Sequence, residues 1–121
     1  MIIAIDFDGT CVTHEYPKIG RDVGAEFVLK ELIEQGHKLI LYTMRSGKEL
    51  DEAVKWFKNR NIHLYGIQTN PEQILWTTSP KCYAQLYIDD AAFGAPLMNG
   101  LPGERPFINW QIVKEKLIHV S

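Results

Sequence analysis

Short apolar runs closed by acids alternate along this chain with stretches whose apolar residues return every three or four positions. Ile2–Ile5 is followed by Asp6, and Leu86–Ile88 by Asp89 and Asp90; both runs read as strands buried on two faces. Lys38–Tyr42 reads as another buried strand, and Ile62–Ile67, interrupted by Gly66, as a third strand in chain order. Between the first two strands, Ala25, Val28, Leu29, Leu32 and Ile33 form one stripe of a helix expected from about Asp22 to Gln35, with Gly36 suited to the left-handed position beyond it. Ser46-Gly47-Lys48-Glu49 has the spacing of a capping box opening a helix that runs to about Arg60 and faces inward with Leu50, Ala53, Val54 and Phe57. Asn70-Pro71-Glu72 suggests a short helix with proline at its first position. Asn109 suits the cap of a last helix with Trp110, Val113 and Leu117 inward. Residues 11–21 and the Gly/Pro-rich 94–108 read as loops.

This alternation predicts an α/β fold: a doubly wound, mostly parallel sheet with helices on both faces. The 121 residues suit one domain with one core, spanning 1–121. A net charge of −2 removes the long-range attraction expected of a nucleic-acid or anionic-membrane binder. No run approaches the length needed to span a bilayer, and the N-terminus lacks the pattern of a signal peptide, so a cytoplasmic protein is expected. Cys11 and Cys82, without C-x-x-C spacing, read as small, reduced, half-buried residues.

In parallel sheets, ligands bind beyond the carboxyl ends of the strands. The candidate chemistry of this chain gathers there. Asp6 and Asp8, two apart in an extended segment, are expected to point to one side. Asp89 and Asp90 end another strand at the same edge. Four carboxylates in one cleft call for a hard divalent cation, and Mg2+ is the usual one where phosphate is also bound. A calcium loop starting at Asp6 fails, because Cys11 and Pro17 stand where glycine and glutamate are needed. Thr43, with the amides that follow it and the next helix N-terminus, offers an anion seat. Lys81 could face the acids as a fixed counter-charge. Arg45, Trp76, Arg105 and Trp110 could line the mouth, although Arg45 also reads as a surface residue at a helix start and Trp110 better as core. His14, His37, His63 and His119 show no ligand spacing and read as structural or surface residues.

Taken together, these residues resemble the haloacid dehalogenase superfamily. Its first motif, D-x-D-x-T, is matched by Asp6-Phe7-Asp8-Gly9-Thr10. Its strand-ending Thr or Ser is matched by Thr43, its lysine by Lys81, and its late acidic pair by Asp89-Asp90. The match covers residues 2–90, and 91–121 carries no assigned motif. The resemblance implies a magnesium-dependent phosphatase acting on a phosphate monoester. Asp6 would attack phosphorus, forming an aspartyl-phosphate, while Asp8 would serve as general acid and then base. It further implies Mg2+ held by Asp6, the Asp8 carbonyl and Asp89, with Asp90 direct or through water, and phosphoryl oxygens held by Thr43, the amide of Met44, and Lys81. Arg45 joins that substrate-binding set as a candidate. An acid at position 8 goes with the family's phosphatases and phosphomutases rather than its dehalogenases.

Neither 10–22 nor 67–81 has room for the cap domain of many members, so a capless member is expected. A bulky substrate, a second subunit of a homo-oligomer, or 94–108 with Arg105 would then cover the cleft. A signalling receiver domain is disfavoured, because no aspartate ends the Ile62–Ile67 strand. A catalytically silent phosphate- and metal-binding module is the other alternative.

Overall fold

The computed structural model describes residues 1–118, so His119 lies outside the described residues. It is an α/β, Rossmann-like fold built on a parallel sheet. Strands β1 (Ile2–Ile5), β2 (Lys38–Leu41), β3 (Gly66–Ile67) and β4 (Leu86–Ile88) lie in the order β3-β2-β1-β4. The register sets Ile5 beside both Leu41 and Ile88, which brings the carboxyl ends of β1, β2 and β4 level. Because parallel strands in register point matched residues to the same face, Ile3, Ile5, Leu39, Leu41 and Ile88 form one apolar surface. That surface shares a single hydrophobic cluster with all three α-helices: α1 (Ala25–Glu34), α2 (Gly47–Asn59) and α3 (Trp110–Leu117). On the opposite face Ala4 and Ile40 are also buried, and the layer there is the segment 68–85 with its single 3-10 turn, Gln73–Leu75. Tyr87, in register with Ala4, donates its hydroxyl to the Cys82 carbonyl and so ties that segment to the sheet. The connections 6–24 and 68–85 hold no inserted domain.

Several boundaries differ from the sequence reading for local reasons. Helix α1 starts at Ala25 rather than Asp22, because the Asp22 carboxylate accepts from the Gly24 and Ala25 amides and Gly24 adopts φ 106°. Ser46 occupies the N-cap position of α2 but makes no side-chain cap, so the expected capping box does not form. Strand β3 is two residues long, and Gln68, at φ 67°, turns the chain out of it. The stretch 94–108 is not all loop: Leu97–Met98 (β5) and Phe107–Ile108 (β6) pair antiparallel. As expected, Asn109 caps α3, accepting from the Gln111 and Ile112 amides, and Gly36 takes φ 92°.

Candidate active site

Strand β1 runs straight into the site. The Asp6 amide donates to the Ile88 carbonyl and the Tyr42 amide to the Ile5 carbonyl, so the sheet ladder extends one residue past both strand ends. The chain then turns tightly: the amides of Thr10, Cys11 and Val12 all converge on the Phe7 carbonyl. Asp6 and Asp8 are both half-buried, on either side of the fully buried Phe7, but their carboxylates have different partners. Asp6 joins Asp89 and Asp90, with one carboxylate oxygen from each lying within 4.8 Å of the others. The Asp8 carboxylate is paired with Arg45 instead, so among the described residues the close carboxylate cluster has three members rather than four.

Thr10 locks the cluster. Its hydroxyl lies 3.2 Å from Asp6 Oδ2 and 3.3 Å from Asp90 Oδ1, and it accepts from the Asp90 amide at 3.1 Å. Its carbonyl accepts the indole N–H of Trp110 at 2.6 Å, so that buried core residue of α3 also holds the first-motif turn in place. Asp89 braces itself by accepting from the Ala91 amide. His14 closes one side, with Nε2 at 3.0 Å from Asp90 Oδ2. That is an ion-pair distance, but the ring nitrogen is not aligned for a hydrogen bond and is otherwise unpartnered. Gly9 makes room for it: at φ 81°, a Cβ there would stand 2.1 Å from His14 Nε2 and 2.6 Å from Asp90 Oδ2.

The electrostatics follow from this crowding. The Asp6 pKa rises from the ordinary 3.8 to about 8, first by burial, then by the charge of Asp89 and the hydrogen bond with Asp90. Cys11, whose thiol lies 3.4 Å from the Asp6 carbonyl, is pushed well up by burial and then by the neighbouring aspartates. Three hard oxygen donors, mutually repelling and partly withdrawn from water, fit a divalent cation such as Mg2+: its charge would offset the repulsion and burial that raise the Asp6 pKa.

Asp8 has the opposite surroundings. Arg45 Nε donates to its Oδ2 at 2.8 Å and Nη2 to its Oδ1 at 2.7 Å. The other N–H groups of Arg45 reach the carbonyls of Lys18, Pro17 and Glu49, so all five donors are used. The guanidinium packs against the rings of Phe7 and Tyr16 and is 1% exposed. Arg45 is therefore neither a surface residue nor available to substrate in this arrangement, because its donors are spent on Asp8, on the loop after the first motif and on the Glu49 carbonyl of α2. Removing one partner of such a buried pair typically costs about 3–5 kcal/mol, so the clamp is a fixed feature.

Of the other expected site residues, Thr43 and Met44 lie at the end of β2, with Met44 almost fully exposed. The side chain of Gln68 grips this turn, accepting from the Thr43 amide and donating to the Thr43 and Arg45 carbonyls. The Arg45 amide donates to the Thr43 hydroxyl, so the anion seat retains the Met44 amide and the hydroxyl proton of Thr43 as donors, not the whole run of amides. The Lys81 ammonium lies 5.7 Å from the centroid of the Tyr87 ring, beside the strand that carries Asp89, and pairs with no carboxylate among the described residues. Trp76 is exposed and stacks edge-on with Tyr83. The β5–β6 segment is tied to the site loop where the Ile108 amide donates to the Gly9 carbonyl, and Arg21 pairs with Glu104 across it. Arg105 is exposed on that segment.

Sequence reasoning missed three participants. His14 carried no spacing signal, because its place depends on the turn that brings it over Gly9. Thr10 was legible only as a motif letter, and Gln68 acts through a left-handed turn that no local pattern announces.

No family model matches the chain, and no curated protein matches it. It is similar to a solved structure of a conserved protein from Bacteroides thetaiotaomicron, with 38% identity, coverage of 95% of this chain and 87% of that one, and a TM-score of 0.78.

Proposed function

This chain belongs to the same family as that conserved Bacteroides protein, and we propose that it is a magnesium-dependent phosphohydrolase acting through an aspartyl-phosphate on Asp6. The observation that carries the reading is the meeting of Asp6, Asp89 and Asp90, with the Thr10 hydroxyl bridging Asp6 and Asp90, since the resemblance to the haloacid dehalogenase superfamily puts a nucleophile and metal ligands at those positions. Asp6, Asp89 and Asp90, with the Asp8 carbonyl, would hold Mg2+, which when bound supplies charge to neutralise the carboxylates and the phosphoryl oxygens. Asp6 attacks phosphorus, and water then attacks the aspartyl-phosphate. Thr43, the Met44 amide and Lys81 orient the phosphoryl group, so the protein contributes positioning more than covalent chemistry. With no inserted domain between β1 and α1 or between β3 and β4, the cleft is open and suits a bulky phosphorylated substrate or cover from a second subunit. No helix among the described residues is long and apolar enough to cross a membrane. Two free cysteines suit the cytoplasm, where thiols stay reduced.

Turnover of an aryl phosphate with Mg2+, abolished by chelator and by Asp6→Asn with the fold retained, would bear out the reading. Asp89→Ala should raise the magnesium requirement. The occupation of Asp8 by Arg45 favours the alternative of a phosphate- and metal-binding module without turnover. Metal binding at Asp6 with no hydrolysis of any phosphate compound would establish that alternative.

A further inference from the structure

Resting on the phosphohydrolase reading, we propose that the substrate is an anhydride of phosphoric acid, whose leaving group departs as a phosphate or carboxylate anion and needs no proton from the protein. An alkyl phosphate must release an alkoxide, which leaves readily only when a positioned acid protonates it. The residue in line for that task is Asp8, and here both of its oxygens are taken by the Nε and Nη2 donors of Arg45. Swinging Asp8 toward a leaving group would strand a guanidinium that is 1% exposed and whose remaining donors are already bound to the carbonyls of Pro17, Lys18 and Glu49. Of the other proton donors near the site among the described residues, His14 Nε2 is set against Asp90, and the Lys81 ammonium lies over the Tyr87 ring.

The reaction balances without that proton. An Asp6 oxygen forms a bond to phosphorus as the bond from phosphorus to the bridging oxygen breaks, and the bridging oxygen leaves with the electron pair as a carboxylate or phosphate anion. Water then bonds to phosphorus, and the Asp6 oxygen leaves with its pair as a carboxylate. One water hydrogen stays on the released phosphate, and the other passes to phosphate or solvent.

The test is kcat/KM of the full chain with saturating Mg2+ on acetyl phosphate, pyrophosphate, a series of aryl phosphates of rising phenol pKa, and a simple alkyl phosphate. The expected result is a steep fall with leaving-group pKa, ending with the alkyl phosphate at least about 100-fold below the anhydrides, the least that a missing general acid is expected to cost. Rates level within about tenfold across the series would show that a proton is supplied and would overturn the inference while leaving the phosphohydrolase reading intact. Asp8→Asn gives a second reading: the same fractional loss for every leaving group supports the inference, and a loss confined to poor leaving groups overturns it. Should that variant fail to fold, the wild-type slope decides alone. Absence of turnover on every compound, with no phosphate on Asp6, would overturn the phosphohydrolase reading and this inference together, an outcome distinct from level rates.

Discussion

Asp6 and Asp8 stand two residues apart at the end of one strand and have opposite surroundings. Asp6 is partly buried among other acids, with its pKa pushed up to about 8, and no cation of the protein pairs with it among the described residues. Asp8 is met by a guanidinium whose every donor is used. One carboxylate has only other acids beside it as close charged partners, and the other is neutralised from within the fold. A D-x-D spacing thus brings two acids to one strand end, while the partners that distant segments supply decide the electrostatics of each.

The sharpest way to break the comparison is to remove each acid's distinguishing feature. Asp6→Asn keeps the volume and removes the nucleophile; turnover should fall by about 10⁴-fold or more, roughly 5 kcal/mol of transition-state stabilisation. Retention of a tenth of the wild-type rate would remove Asp6 from its role. Arg45→Met should destabilise the fold by about 3–5 kcal/mol in urea unfolding, because Asp8, two loop carbonyls and the Glu49 carbonyl of α2 lose their buried partner; a change below about 1 kcal/mol would mean that the clamp is dispensable. Gly9→Ala should cost about 1–3 kcal/mol, through positive φ and collision with the His14 ring, and wild-type stability in that variant would show that His14 moves aside freely.

A subtler effect is a pH slope. Without metal, native Asp6 keeps a proton up to about pH 8, whereas the unfolded chain loses it near 3.8. Its contribution is therefore fully present below the unfolded value and is lost as pH rises toward 8. His14, Asp89 and Asp90 face the same point. Metal-free stability, measured by unfolding between pH 5 and 8, should decline in the wild type and decline less in Asp6→Asn; parallel slopes would contradict the raised Asp6 pKa.

Much of this was legible in the chain. The apolar runs placed β1, β2 and β4, and the acids closing β1 and β4 met as their parallel order demanded. The helical stripes placed α1 and α2, and Asn109 announced the cap of α3. What stayed hidden depends on contacts between distant segments. Arg45 looked like a surface residue because nothing near it in sequence reveals the carbonyls of Pro17 and Lys18 folding over it. His14 looked idle because its ring reaches Asp90 only across a glycine. The pairing of β5 with β6 was masked by a glycine- and proline-rich composition that reads as loop, and the unformed cap at Ser46 shows that a motif supplies groups without guaranteeing their bond.

The central claim is that Asp6 carries the phosphoryl group. It is tested most directly by mixing the protein with Mg2+ and acetyl phosphate, quenching with borohydride, and locating the reduced residue by peptide mass spectrometry. An acyl phosphate is reduced where a free carboxylate is not. The account predicts homoserine at position 6 and none at positions 8, 89 or 90, with the signal lost on chelation. A reduced residue at any of those other positions, or none at all while acetyl phosphate is being consumed, would contradict it.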